Sequence, residues 1–388
     1  MWVHEGNVKS PDLVTENLPK SDGPLRTAHL WGPIAALASI GSLAIVRRAT
    51  GAAGTGCVQY SRIMSTDSRQ RIARIQDAIR SEERRLRAVH GWLAHQDRLG
   101  LACFVGALVA WALVTWAWTM GLPSPVAVLL IALAISILHE LEHDLIHGLY
   151  LRRRPAVQNL LFLGIFLAKM SMDPWSRKRL HLRHHRVSGQ PIDIEERLIG
   201  LGLPLGPRRL ALTLIPAFSA LVLPGLVRDL KAFREQHPRT KPRERLAPWR
   251  RLMRLVSLGF ALLPFFAAWA ALRGEAWALP LLVLYVLPNL LRHASIAFMS
   301  SMSHYYEDIE PNDVFEQNQV LDHWMFWPLQ LFCFNFGATH ILHHYVVQQP
   351  FYLRHMVAPG VLEALLAEGV RRNDLGTVPR ANRYRLDG

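Results

Sequence analysis

Forty consecutive residues without a charge, Leu99 to Leu138, constrain this chain more than any other feature in it. A helix in water needs a polar face, and a run this long has none. About 20 apolar residues are enough to cross a bilayer as a helix. Gly121-Leu-Pro-Ser-Pro125 divides the run; prolines end one helix and open the next. The stretch therefore reads as a helical hairpin with its tip outside. The Trp-rich first arm is long enough to span, and the second returns towards Arg152-Arg153-Arg154, basic residues of the kind retained inside. The net charge of +14 would suggest a nucleic-acid partner in a soluble protein. Here the positive charge lies in blocks between apolar runs, so membrane topology explains it better and no nucleic acid is expected.

The same reasoning carries along the chain. Leu255–Leu272 and Ala276–Leu291 form a second hairpin around a short Arg-Gly-Glu tip. Asn159–Met170 is apolar but too short to span, so it reads as re-entrant or interfacial. Leu210–Val227 has no charge, but a full span there would export the loop Arg228–Arg254 with its ten Lys and Arg. It therefore reads as a helical element dipping into the membrane. Trp324–Phe336 reads as skimming the surface. Residues 64–98 form a basic amphipathic helix, with Ile72, Ile75, Ile79, Leu86, Val89 and Leu93 near one face. That face suits either a membrane surface or a packed core. Residues 1–63 hold a 16-residue apolar segment, Trp31–Val46, and are read as an extension. Met64-Ser-Thr-Asp-Ser68 resembles a chain start with a helix cap, so the functional protein is expected to begin near Met64. Residues 99–356 form the membrane domain and 357–388 a polar tail. Cys57, Cys103 and Cys333 are too scattered for a zinc-type pair or a disulfide framework. The expected architecture is an all-α integral membrane protein with about four transmembrane helices in two hairpins. Interfacial helices and a cytosolic histidine-rich cap complete it, on the cytoplasmic side of a bacterial inner membrane.

Three histidine clusters carry the chemistry: His139-Glu-Leu-Glu-His143-Asp-Leu-Ile-His147, His181-Leu-Arg-His184-His185 and His340-Ile-Leu-His343-His344. At this histidine content, one His-x-x-His-His arises by chance about 0.04 times, so two copies are not a product of composition. Spacings of three and four put imidazoles on one helix face, and neutral imidazole ligates iron, zinc, copper and nickel. Several metal sites remain open on the residues alone. His139-Glu140-x-x-His143 fits the zinc-protease motif, but that site would leave both His-x-x-His-His boxes without a task. Glu140-x-x-His143 fits one half of a carboxylate di-iron site, with no second half. A haem needs one or two axial histidines, and transporters place their ligands at mid-membrane rather than at one edge. The remaining reading is a histidine-bound dinuclear centre that activates oxygen.

At this point His143-Asp-Leu-Ile-His147-Gly148, His181-Leu-Arg-His184-His185 and His340-Ile-Leu-His343-His344 resemble the three boxes of the membrane fatty acid desaturase superfamily. The superfamily includes acyl-lipid desaturases, carotenoid hydroxylases and ketolases, and alkane hydroxylases. The resemblance covers roughly residues 95 to 355. It implies a four-span fold, a cytosolic cap holding two iron ions, and O2-dependent attack on an unactivated C–H bond of a long acyl chain. It further implies His143, His147, His181, His184, His185, His340, His343 and His344 as ligands, with His304 in Ser-His-Tyr-Tyr as the extra histidine after the last span. His139 is an alternative ligand in the frame used by alkane hydroxylases. Ser300 stands where some desaturases carry a water-holding Asn.

Asp144, Asp193 and Asp308, with Asp173, Glu195 and Glu196, are candidates to orient the imidazoles through their second nitrogen. His293, His90, His95, His237, His323 and His355 are read as structural. The chain has no His-Pro-Gly-Gly haem segment, no cysteine set for an iron–sulfur cluster and no Gly-rich dinucleotide loop after a strand. A separate electron donor of ferredoxin or cytochrome type is therefore implied, steered by the basic inner face. Desaturation is the leading reaction, with hydroxylation or ketolation of a lipid, carotenoid or alkane as the alternative.

Overall fold

The computed structural model describes residues 65–380 and 382, apart from 191, 237–246, 307, 308 and 310–312. The expectations about residues 1–63, His237 and Asp308 lie outside the described residues. The chain is an all-α integral membrane protein. Its helices in order are α1 (Thr66–Val89), α2 (Gln96–Thr119), α3 (Ser124–Ile146), α4 (Pro155–Lys169), α5 (Pro174–Val187), α6 (Ile194–Leu198), α7 (Pro207–Leu214) and α8 (Leu223–Gln236). There follow α9 (Pro248–Leu272), α10 (Ala278–Leu281), α11 (Leu287–Ser303), α12 (Val314–Gln317), α13 (Trp327–Leu331), α14 (Phe336–Tyr345) and α15 (Phe351–Ala367).

Four segments are long and apolar enough to span: α2, α3, α9 and the continuous Ala278–Ser303, in which α10 and α11 are joined by a π-turn at Leu282–Val286. They are the four segments expected from the uncharged runs. The pairs are not equivalent. Within its apolar window α2 is 11% buried and α9 17%, against 56% for α3 and 44% for Ala278–Ser303. The first arm of each hairpin faces lipid, while the second arm is the inner one and carries site residues out of the membrane. Trp111 ties the hairpins together, donating from its indole to the Leu284 carbonyl at 3.0 Å.

Helix α4 ends at Met170, whose φ of 48° is left-handed. Asp173 then caps α5, accepting from the Ser176 N–H at 2.8 Å, with Pro174 in the first turn. The two axes meet at 96°. That corner turns a short apolar helix into a basic helix lying across the ends of the spans.

Beyond the membrane, α1 packs on α15. Ile75, Ile79 and Leu86 are buried with Leu353, Val357, Val361 and Leu365, each worth about 1.5–3 kcal/mol of apolar burial. This settles the open placement of α1 in favour of a packed core. It also corrects the boundary at 357: residues 357–367 complete α15 and are part of the cap, not a polar tail. Val357, Val361 and Leu365 follow one another at a spacing of four, a helical face that a boundary at 356 cuts through. Residues 210–227 are helical, as expected, but in pieces: α7, a 3-10 stretch at Pro216–Val222 and the start of α8. Trp324, Met325, Trp327 and Leu331 are exposed together, as a segment lying on the bilayer surface requires.

Candidate metal centre

Four elements converge at the inner end of the spans. Helix α3 brings His143 and, at its C-cap, His147; α5 brings His181, His184 and His185; α11 ends on His304; α14 brings His340, His343 and His344. All but His147 and His185 are buried. Their nitrogens fall into two groups, each within 4.8 Å of one another: His143, His147, His181, His185 and His343, and then His184, His304, His340 and His344.

The two His-x-x-His-His boxes divide in opposite senses. On a helix the first and last residues of the box lie about 40° apart, and the middle one lies about 60° round the other flank. On α5 the outer pair, His181 and His185, joins the five-imidazole group and His184 joins the four. On α14 the outer pair, His340 and His344, joins the four and His343 joins the five. The repeat exists because each of two facing helices must reach both groups.

The spacing of the nitrogens is that of ligands around an ion. His343 Nε2 lies 3.1 Å from His147 Nε2 and 2.9 Å from His185 Nε2, and His185 Nε2 lies 3.1 Å from His181 Nε2. In the second group His344 Nε2 lies 3.0 Å from His340 Nε2 and 3.3 Å from His184 Nε2. Metal–nitrogen bonds of about 2.1 Å put adjacent ligands about 3.0–3.4 Å apart in octahedral or tetrahedral geometry. Both ring nitrogens of His143 and Nε2 of His304 are buried without a hydrogen-bond partner, a cost that a bound cation removes. At His184 burial works against charge but the Asp193 carboxylate outweighs it and pushes the imidazole up, to about 9, so a metal ion there displaces a proton. At His147, His304, His340, His343 and His344 protonation does not compete. Burial first, then neighbouring imidazoles, holds His340, His343 and His344 well below their ordinary values. The same causes push His147 down to about 2 and His304 to about 3. Neutral imidazole is the ligating form. The described residues thus fit metal ions, and the all-nitrogen donor set suits first-row transition metals.

The surrounding contacts fix the rings. Asp193 caps α6 and places Oδ2 2.6 Å from His184 Nδ1. Glu195 Oε2 stands 3.0 Å from His181 Nδ1. His304 Nδ1 faces the Ser300 carbonyl at 2.8 Å. The Ser300 hydroxyl donates to Glu196 Oε1 at 3.0 Å. Burial pushes the Glu196 carboxyl up, to about 8. Phe336 stacks on His340 with ring centroids 4.0 Å apart. Asp144 acts through other groups: it accepts from the Tyr150 hydroxyl and the Phe351 N–H at 2.9 and 2.8 Å and pairs with Arg354 at 3.3 Å. Arg354 Nη1 in turn lies 2.9 Å from His343 Nδ1.

His139 stands outside both groups, among Arg292 Nη1 at 3.2 Å, Lys169 Nζ at 3.5 Å and Arg177 Nη2 at 3.5 Å. Three cations around one imidazole repel a further metal ion. Glu140, the would-be base of the zinc motif, is paired with Arg354 at 3.1 Å. Neither half of His139-Glu140-x-x-His143 is arranged as a zinc hydrolase needs. The sequence reading missed Arg354 and the Lys169–Arg177–Arg292 set. Its available signal was a charge inside an apolar run: Glu142 and Arg292 lie in spanning helices and Lys169 ends an apolar one. A cavity of about 230 Å³ connects this set to His143, His181, His184 and His340.

The family model for fatty acid desaturase matches residues 121–376. It covers about two thirds of the chain and all three histidine boxes, and the chain belongs to the fatty acid desaturase family. A comparison with curated proteins finds no match.

Proposed function

Proceeding from membership of that family, we propose that the chain is an O2-dependent di-iron desaturase that introduces a double bond into a long acyl chain. The observation that carries this is the division of nine buried or half-buried imidazoles into groups of five and four, with no carboxylate in either. His143, His147, His181, His185 and His343 would hold one iron, and His184, His304, His340 and His344 the other. Bound there, the irons supply O2 activation and removal of hydrogen from an unactivated C–H bond. The balance is two hydrogens from the chain, one O2, two electrons and two protons, giving an alkene and two waters.

The protein's own residues position and enclose. Asp193 and Glu195 take the second nitrogens of His184 and His181, fixing ring orientation and raising ligand basicity. The packed cap of α1, α14 and α15 excludes water from one side of the centre. The electrons need a separate donor of ferredoxin or cytochrome class. The basic loops support placing the histidine end on the cytoplasmic side and an acidic donor docking there. Arg250→Glu/Arg251→Glu should then raise the donor concentration needed for half-maximal turnover; unchanged dependence would remove that docking site.

The deciding experiment is the metal content of the purified full chain, together with acyl-chain analysis of expressing cells grown with and without O2. About two irons per chain and a new unsaturated acyl chain formed only with O2 are expected. One zinc per chain, or a product profile indifferent to O2, would overturn the proposal. A hydroxylated product would assign the oxygen-inserting branch, in which one oxygen atom enters the chain and the other leaves as water.

A further inference from the structure

We infer that the cavity beside the histidines is a receptor for a compact oxyanion, the charged free end of the substrate chain. The inference rests on the reading of the centre as one that oxidises acyl chains, and it names the end of the chain that enters.

The observation is a local charge imbalance inside the membrane domain. Lys169 is 1% exposed and Arg292 3%, and Arg177 is largely covered. Glu142, fully buried, pairs with Lys169 at 2.5 Å and Arg177 at 2.6 Å. Arg177 also lies 3.7 Å from Glu195, but that carboxylate is engaged by His181. Among the described residues no carboxylate pairs with Arg292, and its Nε has no hydrogen-bond partner. Its side-chain contact is His139, an imidazole that carries no negative charge, and Glu142 acts on it only from beyond ion-pair distance. A guanidinium buried without a counter-ion is expensive, and the cost grows when cations occupy the histidine groups beside it. A protein keeps such a group where something anionic completes it.

The cavity gives that anion a place. It is lined by Lys169, Arg177 and Arg292 at one end and by His143, His181 and His340 at the other. Between them the lining is mixed: Met170, Met172, Leu180, Leu198, Ile296 and Phe336 are apolar, and the carboxylates of Glu140, Glu195 and Glu196 also line it, engaged by Arg354, His181 and Ser300 respectively. The apolar residues suit a short length of hydrocarbon with a charged end. At about 230 Å³ it admits a carboxylate or a phosphate monoester with a few carbons, not a nucleotide-bearing carrier. Arg292 offers a planar fork suited to two oxygens, and Lys169 a point charge beside it. His139, which contacts all three cations, is one helical turn from His143, about 6 Å along α3. An oxyanion held there puts the carbons near the charged end against the histidines, and the methyl end farther off.

The test is binding, read apart from turnover. The purified, metal-loaded full chain in detergent is titrated with hexadecanoate, methyl hexadecanoate, hexadecanol and hexadecyl phosphate, by displacement of a fluorescent fatty acid. At least tenfold tighter binding of an anionic probe than of the ester and the alcohol is expected. Arg292→Gln should remove that preference while metal content stays at the wild-type level, and Arg292→Lys should restore part of it. Tighter binding of hexadecanoate than hexadecyl phosphate identifies a free fatty acid; the reverse identifies a phosphate-ended lipid. Equal binding of acid, ester and alcohol by the wild-type chain would overturn the inference, whatever the variants do. Two irons and an O2-dependent product alongside equal binding would sink this inference alone. Anion preference in a chain that holds zinc would sink the proposed reaction and leave the receptor standing.

Discussion

Helices α5 and α14 carry the same five-residue pattern and do the same geometric task by different means. Helix α5 is basic and partly exposed, with Arg177, Lys178, Arg179, Arg183 and Arg186 around its histidines. Its rings are held from outside by acids on the next segment, Asp193 on His184 and Glu195 on His181. Helix α14 is apolar, and every residue from Thr339 to Tyr345 is buried. Its rings are held by packing, with Phe336 stacked on His340. An imidazole needs its second nitrogen and its plane fixed if it is to serve as a ligand. On α5 an acid takes the second nitrogen of each of these two rings, His184 where water is shut out and His181 where water can compete. On α14 shape fixes the plane of His340.

The largest test of that comparison is the crossed allocation itself. His184 is the only α5 contribution to the four-imidazole group, and His343 the only α14 contribution to the five. His184→Ala leaves three ligands; His343→Ala leaves four. Under a chelator challenge, His184→Ala should lose about half of the bound metal, while His343→Ala keeps most of its own. Equal losses would mean the boxes are not divided as described.

Next in size is removal of an orienting acid against removal of an orienting ring. Asp193 is 1% exposed and grips His184 directly, so Asp193→Asn should weaken metal binding by about 10–100-fold. Phe336→Ala should act in the other currency. It removes a buried ring, at about 3 kcal/mol or more of folding stability, and should lower the thermal midpoint markedly with a smaller change in metal affinity. If Asp193→Asn chiefly lowers the midpoint and Phe336→Ala chiefly strips metal, the two helices have been assigned the wrong supports.

Much of this arrangement is legible in the sequence, and the boundary of what is legible is physical. The four spans follow from uncharged length, because lipid tolerates nothing else, and the boxes follow from local helical periodicity. The shortness of the apolar run at Asn159–Met170 is legible, but the corner that follows it at Met170–Pro174 is not. Nor is the division into five and four, since it depends on which flank of α5 faces which flank of α14 after a 96° bend. The docking of α1 on α15 joins residues nearly 300 positions apart, and periodicity states only that each has an apolar face. Arg292 directly follows the uncharged run Ala276–Leu291, and nothing local states where its side chain turns. Only the fold shows it turned towards His139 rather than snorkelling to water.

The smallest expected effect sharpens the comparison most, because it lies within one helix. Asp193 and Glu195 make the same kind of contact to imidazoles one turn apart, at 2.6 and 3.0 Å. Their exposure differs: the Asp193 side chain is 1% exposed and the Glu195 side chain 20%. Where water can reach, it can take over as the acceptor of the His181 Nδ1 proton; at His184 it cannot. His181 also belongs to the group of five, which loses less from one loosened ring than the group of four. Glu195→Gln should therefore reduce metal affinity by less than tenfold, and less than Asp193→Asn under the same titration. Equal losses would show that charge, not burial, governs how α5 holds its ligands. The contrast with the buried rings of α14 would then rest on the sign of the neighbouring charges alone.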